Sequence, residues 1–377
     1  MNSSRATRAV IDLGALRDNV STLLSHVGKG ELWAVVKANA YGHGAVPCAR
    51  TALVAGASGL CVALTQEALE LRDEGIDAPI MVMSEQPVVD ANVLAANDVT
   101  CVVYNERVIA ALAGAGRRLG KKVRVHLKVD TGMHRVGVPI ADAVERARRI
   151  VADRDVLLEG VMTHLATADD PGSAATQRQL DVFESVVSQI RTIAPDLRHV
   201  HSANSAATLR GISPTSTIKR AGIAMYGLNP GTLADASMSG LRPVMSLRTQ
   251  VSHVQRVRAG EGVSYGLRSV MERESTIATL PLGYADGIAR RSWQTTASVL
   301  VGGRRRRIVG VVTMDQMMVD CGDDVVGIGD DAVLFGVQGD SQVTVGDWAA
   351  ALETIPYEVV CAISGRVPRI YEEVTQC

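Results

Sequence analysis

The residue of this chain best placed for chemistry is Lys37. It follows Leu32-Trp33-Ala34-Val35-Val36 directly, an apolar run with the length and composition of a buried strand. A lysine at the end of such a strand loses solvation, which lowers its pKa and raises the share of neutral, nucleophilic amine. That suits Schiff-base formation with a carbonyl. A lysine leaving the core for solvent has the same local sequence, so position alone leaves both readings open. Further on, Ser202-Ala203-Asn204-Ser205 opens a helical pattern, and Arg220-Ala221-Gly222-Ile223 lies at the end of a strand-like one. Backbone N–H groups in such loops can hold a phosphate, although a plain helix cap at Ser205 would read the same way. A phosphate-bearing cofactor beside a Schiff-base lysine points to pyridoxal 5′-phosphate.

The elements that must position these groups follow a regular rhythm. Short β-branched runs occur at Leu32–Ala38, Gly59–Leu64, Pro79–Met83, Val99–Tyr104, Val123–Asp130, Leu158–Leu165, His199–Asn204 and Lys219–Gly227. They are nearly continuous apolar runs, as strands buried on both faces require. Helical stripes lie before and between them, such as Leu13, Leu16, Val20, Leu23, Leu24 and Val27, or Leu180, Phe183, Val186, Val187, Ile190 and Ile193. Thr65 and Asn105 stand at two helix starts. Eight strands alternating with helices predict a (β/α)8 barrel over residues 1–240. A doubly wound open sheet is the competing arrangement. In a barrel, functional side chains sit at the C-terminal strand ends. That rule selects Lys37 and Tyr41, Lys128 with Asp130 and Arg135, His164, Asn204 with Ser205, and Arg220 with Gly222.

After Leu241 strand-like runs follow one another without long helices: Val244–Val257, Ser275–Leu282, Ala297–Val301, Ile308–Met314, Met317–Cys321 and Ala332–Val337. A helix around Val345–Ile355 and a strand near Val367–Tyr371 close a mainly β domain, residues 241–377, against which a first strand near residues 8–13 is expected to pack. The run Arg304–Arg307, next to Gly302-Gly303, reads as a solvated hairpin tip rather than a nucleic-acid patch.

Composition narrows the function classes. Among 377 residues, 39 Lys plus Arg against 40 Asp plus Glu leave a formal charge of −1, which argues against a general polyanion binder. With 47% hydrophobic and 21% charged residues the chain can bury cores, yet no apolar run approaches a bilayer span. The opening MNSSRATRAVIDL carries no apolar signal segment. Cysteines at 48, 61, 101, 321, 361 and 377 stand apart, with no metal-ligand spacing, which fits a reduced cytoplasm and no structural metal. Aromatics are only 3%, so the core must be aliphatic, and tyrosines beside glycine in loops are where phenolic chemistry is expected.

The segment VVKANAYGHG (Val35–Gly44) resembles the cofactor-lysine segment of alanine racemases. KVDTGMHR (Lys128–Arg135), MTHLATAD (Met162–Asp169), HSANSAA (His201–Ala207), KRAGIAMYG (Lys219–Gly227), VSYG (Val263–Gly266), GYADG (Gly283–Gly287), MDQ (Met314–Gln316) and PYE (Pro356–Glu358) follow in the family's order. The resemblance spans almost the whole chain. It implies a fold-type III enzyme in which Lys37 binds pyridoxal phosphate covalently. Tyr41, Asn204, Ser205, Tyr357 and the backbone at Gly222 and Ile223 would hold the cofactor, its phosphate above all. Arg135 would contact the phenolic oxygen and, with backbone at Met314, the substrate carboxylate. Arg220 would face the pyridine nitrogen. Lys37 and Tyr265 would be the two bases, acting on D- and L-alanine respectively, with His164 bridging Tyr265 and Arg220 as part of a cationic network. Tyr265 would reach the cofactor of the other subunit of a homodimer, and Tyr284 and Tyr357 would narrow the entrance. Lys128 occupies a position carbamylated in several members, whereas His134 departs from the residue some members carry and receives no role. The product, D-alanine, would serve peptidoglycan synthesis.

Other readings are weighed against this one. A racemase of the same build acting on serine, or broadly, would share every motif. A decarboxylase of this architecture places a carboxylate at the pyridine nitrogen, where this chain offers Arg220. A cofactor-carrying barrel without catalysis would lack the second domain and Tyr265.

Overall fold

The computed structural model describes residues 5–231, 233, 238 and 240–373; Cys377 and the first four residues lie outside that range. The chain divides into two compact units. One holds residues 16–40 and 45–242, and the other the residues through Ala15, Tyr41–Gly44 and Pro243 onward.

After β1 (Arg8–Asp12), the first unit is built on β2 (Glu31–Val35), β3 (Gly59–Val62), β4 (Ile80–Val82), β5 (Val99–Val103), β6 (Val123–Asp130), β7 (Val156–Met162), β8 (His199–His201) and β9 (Ile218–Ala221). All pair in parallel in the order β9-β2-β3-β4-β5-β6-β7-β8. The last strand thus pairs with the first of the series. The remaining seam is bridged where Thr217 N–H donates to Val200 O at 2.7 Å and Arg220 N–H to Ala203 O at 3.1 Å. This nearly closed barrel excludes the doubly wound alternative, whose outer strands would stay apart. Strands β3, β4 and β5 are buried at every position, as the continuous apolar runs require. Asn105 caps its helix, its side chain accepting from Arg107 N–H. Thr65 does not cap: Leu64 precedes that helix, and Glu67 accepts the Leu64 N–H instead.

The second unit is built on a mainly antiparallel sheet. Its order is His253–Val257, Ser275–Leu280, Met317–Gly322, Arg304–Val309, Ser298–Val301, Asp331–Gln338, Met245–Gln250, β1 and Arg369–Glu372, with only the last pair parallel. Val257, Val263, Met271, Ile277, Val309 and Met318 form one of its apolar clusters. Two sequence expectations change here. The run Val244–Val257 is two strands, broken at Val251-Ser252. Arg304–Arg307 is not a hairpin tip but a strand that pairs with Ser298–Val301, the turn being Gly302-Gly303. Arg306 points inward and bonds the carbonyls of Val301 and Cys321, while Asp324 neutralises it together with Arg304. Arg305 pairs with Asp347 at 2.8 Å. Arg304, Arg305 and Arg307 stay exposed, as a solvated run requires, so only Arg306 turns into the fold. Among the described residues no helix is long and apolar enough to cross a membrane.

Candidate active site

In the barrel unit the polar groups gather at the C-terminal strand ends. Lys37 stands two residues past the end of β2 and is half-buried. The next four residues, Ala38, Asn39, Ala40 and Tyr41, are all left-handed, with φ of 52°, 52°, 54° and 53°. For residues with a Cβ this costs about 1–2 kcal/mol each, so the turn stores several kcal/mol. Side chains hold it in place. Glu67 accepts from Ala38 N–H at 2.6 Å, and Asn39 Oδ1 accepts from Ala45 N–H at 2.7 Å.

Arg220, on β9, is buried and its two Nη groups are held by protein acceptors. Nη1 donates to His201 Nδ1 at 2.7 Å; Nη2 reaches Thr163 O at 3.1 Å, Ser202 O at 3.2 Å and His164 Nδ1 at 3.3 Å. A guanidinium only donates, so both imidazoles must accept at Nδ1 and carry their proton on Nε2. His201 Nε2 then donates to His126 Nδ1 at 2.8 Å, which leaves the His126 Nε2 proton facing Glu159 at 3.4 Å. Gly160 makes this possible. A Cβ there would stand 2.8 Å from the His126 ring, so only glycine leaves room. Burial lowers the Arg220 pKa to about 10, which still keeps it charged at neutral pH.

His164 is the focus of the cations. Burial, then Arg220, Arg135, Lys128 and Lys37, push its pKa well below the ordinary value. That direction favours the neutral imidazole over a cationic one, since a proton there would be desolvated and repelled by four cations. Lys128 is buried on β6. Burial, then Arg220, Arg135 and Lys37, lower it to about 8, with Asp130 opposing. The Asp130 carboxylate folds the loop that follows, Oδ1 accepting from Gly132, Met133 and His134 N–H at 3.0–3.1 Å. Arg135 and His134 are exposed, and the His134 ring contacts Asp130 at 3.2 Å. Gln179 pins the loop carrying His164, donating to His164 O at 3.0 Å.

Asn204, rather than Ser205, is the helix cap: its Oδ1 accepts from Ala207 N–H at 3.0 Å. That frees Ser205 Oγ to meet the next loop, where it accepts from Gly222 N–H at 2.9 Å and Ala224 N–H at 3.4 Å. The hydroxyl and the backbone donors of residues 222–224 thus form one donor-rich corner. Pyridoxal phosphate fits these residues. Arg220, Arg135, Lys128 and Lys37, all within electrostatic reach of His164, favour an anionic guest, and Lys37 supplies the amine for its aldehyde.

The second unit carries the remaining expected residues. Tyr265 begins a short turn, Tyr265–Leu267, and is 72% exposed. Ser264 anchors that turn by donating to Val311 O at 2.7 Å. Tyr284 and Met314 are tied by backbone bonds, Tyr284 N–H to Thr313 O at 3.0 Å and Ala285 N–H to Met314 O at 3.1 Å. Together with Arg290 and Asp315 they line an open cavity of about 680 Å³ that also receives Tyr265. The Tyr284 turn is locked from behind by fully buried Asp286, paired with Arg5 at 2.8 Å and Arg366 at 3.5 Å. Tyr41 and Tyr357 face one another, ring centres 5.9 Å apart. Sequence reasoning missed His126, His201, Glu159, Glu67 and Gln179. The signal available was polar residues inside apolar strands, as in VRVHLKVD and HVHSAN.

Comparison with known proteins agrees with this arrangement. The family model for the N-terminal domain of alanine racemase matches residues 11–230, and that for its C-terminal domain residues 244–371. Alanine racemase of Frankia casuarinae is 44% identical over 370 residues, 96% of this chain and 95% of the relative. That of Symbiobacterium thermophilum is 42% identical, covering 98% of each. Among solved structures, alanine racemase of Streptomyces lavendulae superposes with a TM-score of 0.94 at 41% identity, covering 98% of each chain. The Bacillus anthracis enzyme with bound L-Ala-P gives 0.92 at 38% identity, covering 99% of this chain and 96% of that one.

Proposed function

The chain belongs to the alanine racemase family, whose members are pyridoxal-phosphate-dependent isomerases, and we propose that it interconverts L- and D-alanine by proton transfer between Lys37 and Tyr265. The observation that carries the reading is the buried guanidinium of Arg220, beside a neutral His164 and within electrostatic reach of the same groups as Lys37. When bound, pyridoxal phosphate supplies a covalent anchor for the substrate amine and an electron-withdrawing ring that acidifies the α-carbon. Lys37 would hold it, and Tyr41, Asn204, Ser205, Tyr357 and the backbone at Gly222 and Ile223 would bind its phosphate end. Arg220 donates toward the ring nitrogen without surrendering a proton, which limits electron withdrawal and favours return of the proton to the α-carbon over side reactions.

Racemisation needs a proton removed on one face and returned on the other. Lys37 Nζ acts at the α-carbon of D-alanine, and the Tyr265 phenol at that of L-alanine. A phenol is a weak base at neutral pH and needs its anion stabilised. Neutral His164, with its proton on Nε2, is a donor for that oxygen. Tyr265 comes from a second copy of the chain, making a two-fold homodimer with shared sites, in which Tyr284 and Tyr357 narrow the entrance. Arg135 and the Met314 backbone receive the substrate carboxylate. Lys128, whose amine is substantially neutral near pH 8, adds to CO2 with loss of a proton, and the resulting carbamate orients Arg135. The proposed setting is the cytoplasm of a bacterium, with D-alanine passing to peptidoglycan.

Inactive Lys37→Ala and Tyr265→Phe chains, mixed and allowed to exchange, test the shared site. Recovery of D-alanine formation supports it, since a heterodimer has one intact site. No recovery, with heterodimers demonstrated, refutes it. A chiral assay with alanine and serine as separate substrates tests the name of the substrate: serine turning over as fast as alanine would overturn it.

A further inference from the structure

The left-handed turn after Lys37 is costly, and something outside it must keep it from relaxing. Four successive residues, none of them glycine, hold φ between 52° and 54°. The first of them, Ala38, is exposed. It makes a hydrogen bond across to a different segment. Glu67, in the first turn of the helix Thr65–Asp73, accepts the Ala38 N–H on Oε1 at 2.6 Å. Its other oxygen accepts Ala63 N–H at 2.7 Å and Leu64 N–H at 3.1 Å. One carboxylate therefore ties the end of the β2 segment to the end of the β3 segment, and both its oxygens are committed.

We propose that Glu67 is the positioning residue of Lys37, its carboxylate locking the left-handed turn that sets the direction of the lysine. This rests on the reading of Lys37 as the cofactor lysine. Asn39, through Ala45 N–H, and the Ala40 N–H bond to Val36 O hold the later part of the turn; without the Glu67 bond its first residue, Ala38, is drawn toward the right-handed region that L-residues prefer. The Lys37 amine then loses its fixed approach both to the cofactor aldehyde and to the α-carbon of D-alanine. Tyr265, on a separate element, is not affected. The role is one of orientation: Glu67 transfers no proton.

The side chain separates its two tasks cleanly. Glu67→Asp keeps the charge and, being at the third position of its helix, still caps Ala63 and Leu64, but it is one methylene too short to span to Ala38. The variant should fold, bind pyridoxal phosphate about tenfold more weakly, and shift the pH midpoint of the visible absorption of lysine-bound cofactor. Exchange of the α-proton of D-alanine in deuterated water should fall more than that of L-alanine. Adding Ala38→Gly should restore all three, because glycine accepts φ near 52° without a Cβ penalty. Glu70→Gln, exposed on the same helix, serves as control and should match the native chain. Glu67→Gln tests the same point differently: its single acceptor must abandon either Ala38 or the helix cap. A native band with an unchanged midpoint and exchange ratio in Glu67→Asp would overturn the proposal, even if melting temperature drops. So would a double variant no better than the single one. If the native chain itself shows no band with pyridoxal phosphate, the lysine reading falls and this proposal falls with it.

Discussion

Acidification tests the histidine network directly. His164 and His201 both have pKa values pushed well below the ordinary one, first by burial and then by Arg220. His199 is lowered to about 4, by burial and then His126. A depressed histidine binds its proton more readily when unfolded. Its contribution to stability is therefore fully present above the unfolded value near 6.5 and is lost as pH falls through that value toward the folded one. At pH 5 each histidine that stays neutral in the fold costs about 2 kcal/mol relative to pH 7.5, from RT ln(1 + 10^1.5). His164 and His201 together forfeit about 4 kcal/mol, a large part of the roughly 5–15 kcal/mol that holds a domain together. His199, buried and with its pKa near 4, adds a loss of about the same size at pH 5. Urea unfolding at fixed protein concentration, followed from pH 7.5 to 5, reads the loss. His201→Gln sharpens the test. An amide can accept from Arg220 and donate to His126 without titrating, so the variant should lose about 2 kcal/mol less over the same span. Stability that is flat from pH 7.5 to 5, or a variant with the native slope, would refute the neutral assignment of these rings.

Two other outcomes follow from particular contacts. Gly160→Ala places a methyl 2.8 Å from the buried His126 ring; it should cost about 1–3 kcal/mol and disturb the His126–His201 bond, visible as changed imidazole ¹⁵N shifts, with unchanged shifts counting against that chain. With its pKa near 8, Lys128 should take up ¹³C-labelled CO2 to an extent that rises steeply between pH 7 and 8 and disappears in Lys128→Ala. A signal independent of pH, or present in the variant, would rule out the carbamate there.

Much of this molecule was legible in the sequence because its signals are local. Apolar runs such as GLCV and VTCVV, at the spacing of strand and helix, announce parallel strands buried on both faces, and the strand-end rule picked out Lys37, Lys128, His164 and Arg220. What stayed hidden depends on folding back. Nothing in the sequence states that Glu67 lies opposite Ala38, or that His126 meets His201 across β7, because those pairings exist only once the strands align in register. The electrostatic setting of His164 was hidden for the same reason: its burial among Arg220, Arg135, Lys128 and Lys37, which pushes its pKa down, exists only in the fold. Arg304–Arg307 is solvated at three of its four positions as expected, but the inward turn of Arg306 was hidden because its partners Cys321 and Asp324 are distant in sequence.

The central claim is that two different groups serve the two faces of the substrate carbon. Tyr265→Phe removes one of them while leaving Lys37 in place. Loss of α-proton exchange with deuterated water, measured by NMR from each enantiomer separately, separates the two bases most directly. The account predicts that the variant retains its cofactor, loses exchange from L-alanine and keeps much of that from D-alanine. Equal loss from both enantiomers would contradict it.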